Sequence, residues 1–467
     1  MTAADRHAVA PTPAEPTARV RQSSLRRHLV SAFDRLRADC RGATAIQFAL
    51  MMIPIMMLTG ASLSLSEVFA MRQRLNAAAD QAALAAVDYG MMLQTAANAQ
   101  TAALNQFASQ SAQVQATITK VTATVTDSIT ARTVVVNYTA TVPNPFDGLF
   151  GTNLITFAGS STSVTNLPIY MDFYLLLDNS PSMSIGATTD DITAMVNATS
   201  TTTYKNYNGG SEYKCAFACH ETDIASNSQY NLYTLAQSKG IQKRIDVVAQ
   251  ATASLMDTAT ATEILTNQYR AAVYTFGATA QTAGLTAIAT LTSNLSNVKT
   301  ASANIDVMSV PYQNYNNDQD TDLNGMLAAM KNAITSSGDG STSSKPQKVL
   351  FLVSDGVSDA AYGSSCTKST TDGTRCQEPI NTSYCTAIKN KYTTNPIRIA
   401  VLYTTYYPLT DNDWYNSWIK PFQSQIATNM QACASPGLYF EVSPSQGIST
   451  AMNALFQKAV GSARITQ

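Results

Sequence analysis

Most folds are excluded for this chain by one run, Tyr170 to Leu177, which is apolar or aromatic throughout except for Asp172. A strand of that kind is buried on both faces, as in the middle of a parallel α/β sheet with helices on either side. Asp178, Ser180 and Ser182 follow at once in the order Asp-x-Ser-x-Ser. Ligands of open α/β sheets sit outside the carboxyl ends of strands, and alternate residues of a loop there can aim three hard oxygens at one spot. Asp, Asn, Ser and Pro also make ordinary turns, so the triplet alone does not separate the two readings.

Two later pieces bear on that choice. A second apolar strand, Lys348 to Val353, runs into Ser354, Asp355 and Gly356, again setting a carboxylate at a strand end. Between the strands, Asp320, Thr321 and Asp322 precede a helical pattern whose apolar positions Leu323, Met326, Leu327 and Met330 share one face. Strand, DxSxS, helix, Thr, helix, strand and Asp-Gly in that order resemble the von Willebrand factor type A domain and its metal-ion-dependent adhesion site. The resemblance implies an α/β fold, a doubly wound and mostly parallel sheet, over about residues 168–467. It also implies that Asp178, Ser180, Ser182, Thr321 and Asp355 hold a divalent cation, Mg²⁺ first, with Ca²⁺ or Mn²⁺ as the other hard choices. Asp320 stands where family members usually carry Gly.

The chain has 467 residues, enough for two or three folded units, and 45% of them are hydrophobic, ample for a core. Only 13% are charged, against about 25% in a typical soluble protein. With a net charge of -1 there is no electrostatic case for nucleic acid as a partner.

Residues 1–24 have the composition of a disordered tail. From Leu25 to Asp39, Leu25, Leu29, Phe33 and Leu36 share a helical face with Arg residues mostly elsewhere, which fits a basic helix on an anionic membrane surface or a solvated juxtamembrane helix. Gly42 to Ser66 contains no Asp, Glu, Lys or Arg. At about 1.5 Å per residue, the apolar stretch 43–65 spans the ~30 Å hydrocarbon layer and reads as a transmembrane helix. The excess of Arg before it places the amino terminus in the cytoplasm.

Cysteine usage agrees with that orientation. Cys40 lies on the cytoplasmic side, while Cys215, Cys219, Cys366, Cys376, Cys385 and Cys433 form an even set beyond the membrane, as a disulfide framework in an oxidising compartment requires. A metal site is the competing use of such spacing. The expected pairs are Cys215 with Cys219 and Cys366 with Cys376, each close in sequence, and Cys385 with Cys433, tying a late helix to the segment before the final strand. CAFACH, Cys215 to His220, has one residue too many for a C-x-x-C-H haem attachment.

Between membrane and sheet, residues 66–112 are Ala-rich and helical by propensity, either as a pilin-like stalk or as a plain helix capping the next domain. Residues 113–167 then alternate Thr with β-branched residues around a turn at Asp127 and Ser128, a small antiparallel β-module. Inside the last domain, residues 185–242 are an insertion rich in Thr, Asn and Tyr, and the first sheet-packing helix begins only near Ile245. A loop that long beside the binding edge of a sheet is more often functional than accidental.

Gly42 followed by ATAIQ looks like a type IV prepilin junction, with Gln47 where pilins usually have Glu. That junction, AADQAALAAV, the CAFACH insertion and the terminal SARIT are similar to the TadG pilus-assembly proteins of the tight adherence (Flp) system. The resemblance implies a non-enzymatic, single-pass inner-membrane protein with a periplasmic type A domain, binding pilus or pilus-assembly proteins through an acidic residue that completes the metal site. A metal-dependent adhesion receptor not needed for assembly is the alternative. An enzyme would have to use His220, and no Gly-x-Ser-x-Gly elbow is present. Asp178 is expected on a solvent-facing loop. With Gln47 in place of Glu, the chain is expected to keep its amino-terminal segment.

Overall fold

The computed structural model describes residues 43–144, 153–200, 204–205, 211–212, 214–226, 228, 230–361, 363, 374–410, 413–443 and 447–462. The basic helix expected over Leu25–Asp39, the junction residue Gly42, Cys40, Cys366 and most of the SARIT terminus lie outside the described residues. The described residues separate into two compact units, one holding residues 43–82 with Leu104–Ala123 and the described part of Val136–Ser161, the other holding Ala83–Ala103, Thr124–Val135 and the described residues from Thr162 to 462.

Helix α1 (Ala43–Ala85) runs without a break for 43 residues, so the apolar span and the first part of the Ala-rich segment are one rod. By length and composition it can cross a membrane, and its large side chains, Ile46, Phe48, Leu50 and Met51 among them, are exposed. Two further helices, α2 (Tyr89–Met92) and α3 (Ala96–Ser111), precede a three-stranded sheet, β1 (Thr117–Asp127), β2 (Ala131–Pro143) and β3 (Leu154–Asn166), in that order.

In the first unit Leu75, Ala78, Ala79 and Ala82 of α1 are buried. The Tyr138 hydroxyl of β2 donates to Asn76 Oδ1 at 2.7 Å, and the Tyr138 and Phe107 rings lie 5.7 Å apart. Gly159 allows this closeness, because a Cβ there would sit 2.6 Å from the Tyr138 hydroxyl. In the second unit buried Arg132 binds Asp127 at 2.7 Å and the Gln94 carbonyl at 2.8 Å, joining the hairpin to the residues after α2.

The second unit also holds the large sheet. Strand β4 (Met171–Leu177) leads through a 3₁₀ turn (Pro181–Ser184) to α4 (Thr189–Ala198), the two-residue strands β5 (Tyr204–Lys205) and β6 (Ser211–Glu212), and α5 (Leu232–Ser238). Then come α6 (Arg244–Thr262), β7 (Tyr269–Thr275), β8 (Thr286–Thr292), α7 (Leu295–Ser302), α8 (Leu323–Ala333) and β9 (Gln347–Ser354). A hairpin, β10 (Val357–Ala361) with β11 (Arg375–Pro379), is followed by α9 (Thr382–Lys389), β12 (Arg398–Thr404), α10 (Gln423–Cys433), β13 (Tyr439–Val442) and α11 (Ile448–Ser462).

Six strands pair in the order β13-β12-β9-β4-β7-β8, all parallel except β8, which runs antiparallel along β7. This is the doubly wound, mostly parallel sheet expected of a von Willebrand factor type A domain. Every residue of β4 is buried because the pleat sends Phe173, Leu175 and Leu177 into one core cluster with α6 and α11, and Tyr174 and Leu176 into the other with α8 and α10. The chain leaves β4 toward β7 and later returns on the opposite side as β9, so the order reverses beside β4. That reversal places the ligand crevice at the carboxyl ends of β4 and β9.

Candidate functional site

Asp178 is the first residue after β4, and its backbone N–H donates to the Val353 carbonyl of β9 at 2.9 Å. The side chain turns inward. Asp178 is fully buried, which corrects the expectation of a solvent-facing position. The physical reason is that its carboxylate is satisfied within the fold: Oδ1 accepts from Ser180 N–H at 3.0 Å and Ser180 Oγ at 2.6 Å, and Oδ2 accepts from Ser354 Oγ at 2.6 Å. Ser180 and Ser182 hydroxyls lie 3.3 Å apart. Ser354, at the end of β9, also accepts from Gly356 N–H at 3.0 Å and so positions the next turn.

Asp355 enters from β9 and is likewise buried. Its Oδ1 accepts from Val357 N–H at 3.3 Å. Burial, and after it the nearby Asp178 charge, push the Asp355 carboxyl up to about 7, with Arg244 and Ser182 pulling the other way. Asp178 is raised too, by burial, against its hydrogen bonds from Ser180 and Ser354. Two carboxylates in one desolvated pocket with hydroxyls between them are short of positive charge.

Thr321 is buried and held by backbone pairing with Asp359 of β10 in both directions at 2.8 Å. The structure therefore ties it to the strand that leaves Asp355. No hydrogen bond joins Thr321 Oγ1 to the other four residues. Beside it, Asp359 holds Arg375 at 2.8 Å, and the Arg375 guanidinium lies 4.4 Å above the Trp414 ring. Asp320 is buried with Oδ2 lacking a hydrogen-bond partner, and burial followed by the Asp318 and Asp359 charges raises its carboxyl to about 7.

Among the described residues no three His, Cys, Asp or Glu side chains form a group able to hold a metal ion. The convergent set is instead two carboxylates with hydroxyls, all hard oxygens, a composition that fits a cation retaining part of its water. Ser354 and Arg244 are the members that sequence reasoning missed. Ser354 stood next to Asp355 in the motif and its hydroxyl was the available signal; Arg244 carried no signal, since its place depends on the path of the insertion.

The cysteines divide. Cys385 and Cys433 are bonded as expected, linking α9 to α10, and Cys376 is disulfide-bonded as well. Cys219 is a free thiol, so the expected Cys215–Cys219 bridge is not formed. The reason lies in the insertion, which pairs with the metal loop: Ala218 N–H donates to the Ser184 carbonyl at 3.0 Å and Gly186 N–H to the Ala216 carbonyl at 3.3 Å. Cys219 is thereby carried alongside Ser184, whose hydroxyl donates to the Pro181 carbonyl at 2.7 Å, while Cys215 Sγ faces the Phe217 carbonyl at 3.5 Å. His220 stacks on Tyr233 with ring centroids 4.2 Å apart. Gln47 is exposed on α1.

Residues 42–88 match the family model described as Tad, putative Flp pilus-assembly TadE/G-like. No curated protein matches the sequence. Among solved structures, the pilus adhesin SpaC from Lactobacillus rhamnosus GG is similar at 12% identity and a TM-score of 0.34, over 74% of this chain and 34% of that one. The chain thus spans about a third of the length of SpaC. The vWF domain of the type V pili tip protein Mfa5 from Porphyromonas gingivalis is 10% identical with a TM-score of 0.35, over 63% of this chain and 96% of that one. The SpRpn10 VWA domain is 10% identical with a TM-score of 0.28, covering 62% and 95%.

Proposed function

We propose, starting from the Tad pilus-assembly match over residues 42–88, that this chain is a membrane-anchored, non-enzymatic factor of a Tad/Flp-type pilus whose type A domain grips a partner protein through a divalent cation. The observation that carries the reading is the pair of buried carboxylates, Asp178 and Asp355, presented by adjacent parallel strands at the reversal point of the sheet. Asp178, Ser180, Ser182, Asp355 and, from the neighbouring loop, Thr321 would hold the cation. When bound, it supplies a Lewis-acid position open to an Asp or Glu of the partner.

What the chain's own residues do follows from their contacts. Ser180 and Ser354 orient Asp178, Val357 N–H orients Asp355, and Gly356, at φ +77°, turns the backbone closely against Ile426 and Met430 of α10. Helix α1 anchors the assembly in the inner membrane, with the amino terminus cytoplasmic and the type A domain periplasmic.

The test is calorimetry with Mg²⁺ on the detergent-solubilised full chain, paired with a pilus assay, for Asp178→Ala and Asp355→Ala. Lost Mg²⁺ binding and lost pili are expected. Normal folding with normal pili in both variants would overturn the reading, and intact pili with lost adherence would mark a receptor instead.

A further inference from the structure

Helix α1 carries no charged residue from Ala43 to Ser66, and Glu67 is the first to follow. With the apolar stretch 43–65 in the hydrocarbon layer, Glu67 lies about 3 Å beyond its edge at 1.5 Å per residue. The headgroup layer there is about 5–7 Å deep on each side, so Glu67 sits at headgroup depth. Just below it Leu63 and Leu65 are 72% and 53% exposed, as lipid-facing residues are. Just above it Leu75, Ala78 and Ala79 are buried.

Where the bare rod becomes a packed helix, the first unit has a cleft of about 300 Å³. Ser64, Glu67 and Val68 line it from α1, since positions three and four apart share a helix face. Gln115, just before β1, lines it from across, with Val142 and Pro143 at the end of β2. Among the described residues that line it there is one carboxylate, one hydroxyl, one carboxamide and no cation.

We propose that this cleft binds the headgroup of an ethanolamine phospholipid and thereby fixes the depth of α1 in the bilayer. This rests on the reading of α1 as the membrane anchor and is independent of the cation site. The headgroup ammonium donates to the Glu67 carboxylate, a charge-assisted bond, and the phosphate oxygens accept from the Gln115 amide and the Ser64 hydroxyl. Val68, Val142 and Pro143 cover the glycerol end, and the acyl chains run down the exposed face of α1. A headgroup that is only anionic meets the Glu67 charge with no cation in the lining to offset it. A choline headgroup has no N–H to donate.

The experiment reconstitutes the full chain in nanodiscs of equal parts phosphatidylcholine, phosphatidylethanolamine and phosphatidylglycerol, then counts by native mass spectrometry the lipids retained on release into mild detergent. Phosphatidylethanolamine should be retained about tenfold over either other lipid, the factor that one charge-assisted hydrogen bond supplies. Glu67→Gln should remove the preference. Asp80→Asn, at an exposed carboxylate about 20 Å further along α1, should keep it. Both side chains are exposed, so both variants should fold. Equal retention of the three lipids, phosphatidylglycerol retained first, or a preference that survives Glu67→Gln overturns the proposal. So does a chain that retains no lipid yet binds soluble phosphoethanolamine in calorimetry, which would make the ligand a free solute. A chain that does not enter the nanodisc at all overturns the anchor reading itself, which sets the two failures apart.

Discussion

Strand β4 carries an aspartate near its start and another just past its end, and the two are treated in opposite ways. Asp172 lies opposite Arg270 of β7 and Lys348 of β9 in the parallel register. Arg270 Nε donates to one oxygen at 2.7 Å, Arg270 Nη2 to the other at 2.8 Å, and Lys348 Nζ joins the second. Asp178, at the other end, meets hydroxyls and a second carboxylate, with the one nearby guanidinium held out of contact. Both aspartates are fully buried. The difference teaches that burial of a charge does not mark a site; a buried charge whose counter-charge is missing does.

The largest expected effect is at the paired end. Asp172→Ala leaves buried Lys348 without its partner, and breaking a buried ion pair on one side costs roughly 3–5 kcal/mol. Urea unfolding should show that loss, while Mg²⁺ affinity of the folded protein stays at the wild-type value. A changed affinity would mean that the two ends are coupled and the contrast fails. Asp172→Leu combined with Lys348→Met should recover most of the stability, since apolar replacement of a whole buried pair is often neutral.

A middle-sized effect belongs to pH at the unpaired end. The Asp355 carboxyl is raised to about 7 in the folded chain, against about 3.9 when unfolded. The folded state takes up this proton first, so the cation-free protein gains stability as pH falls from 8 toward 5 and loses it as pH rises through 7, on the order of 2–3 kcal/mol. Thermal unfolding across that range should show the slope. Asp355→Asn should flatten it, as should saturating Mg²⁺; a slope unchanged in Asp355→Asn would assign the titration elsewhere.

The smallest effect sharpens how the site is aimed. Gly356 has φ +77°, and a Cβ there would lie 2.8 Å from Ile426 Cγ2 and 2.8 Å from Met430 Cγ of α10. Gly356→Ala should cost about 1–2 kcal/mol from the left-handed backbone and weaken Mg²⁺ binding by displacing Asp355. Equal Mg²⁺ affinity in calorimetry would show that the turn does not set the carboxylate.

Period and adjacency make much of this legible in the sequence. Residues 170–177 announce a two-faced strand because no polar residue but Asp172 interrupts them, and Leu323, Met326, Leu327 and Met330 are all buried on α8 as their spacing requires. The order Asp-x-Ser-x-Ser, Thr, Asp-Gly places five oxygen-bearing side chains at strand ends and loops through chain connectivity alone. The apolar span, now the first half of α1, follows from composition. Partnership across the fold had no such signal. Asp172 meets Arg270 and Lys348 from strands far along the chain, Cys219 is drawn to Ser184 by the insertion's pairing with the metal loop, and Arg244 reaches the Thr405 carbonyl because α6 begins where that insertion returns. Local sequence decides which residues form a strand and where its end falls; which charges meet there is decided by the packing of distant segments, because only tertiary contact excludes the water that would otherwise make their proximity indifferent.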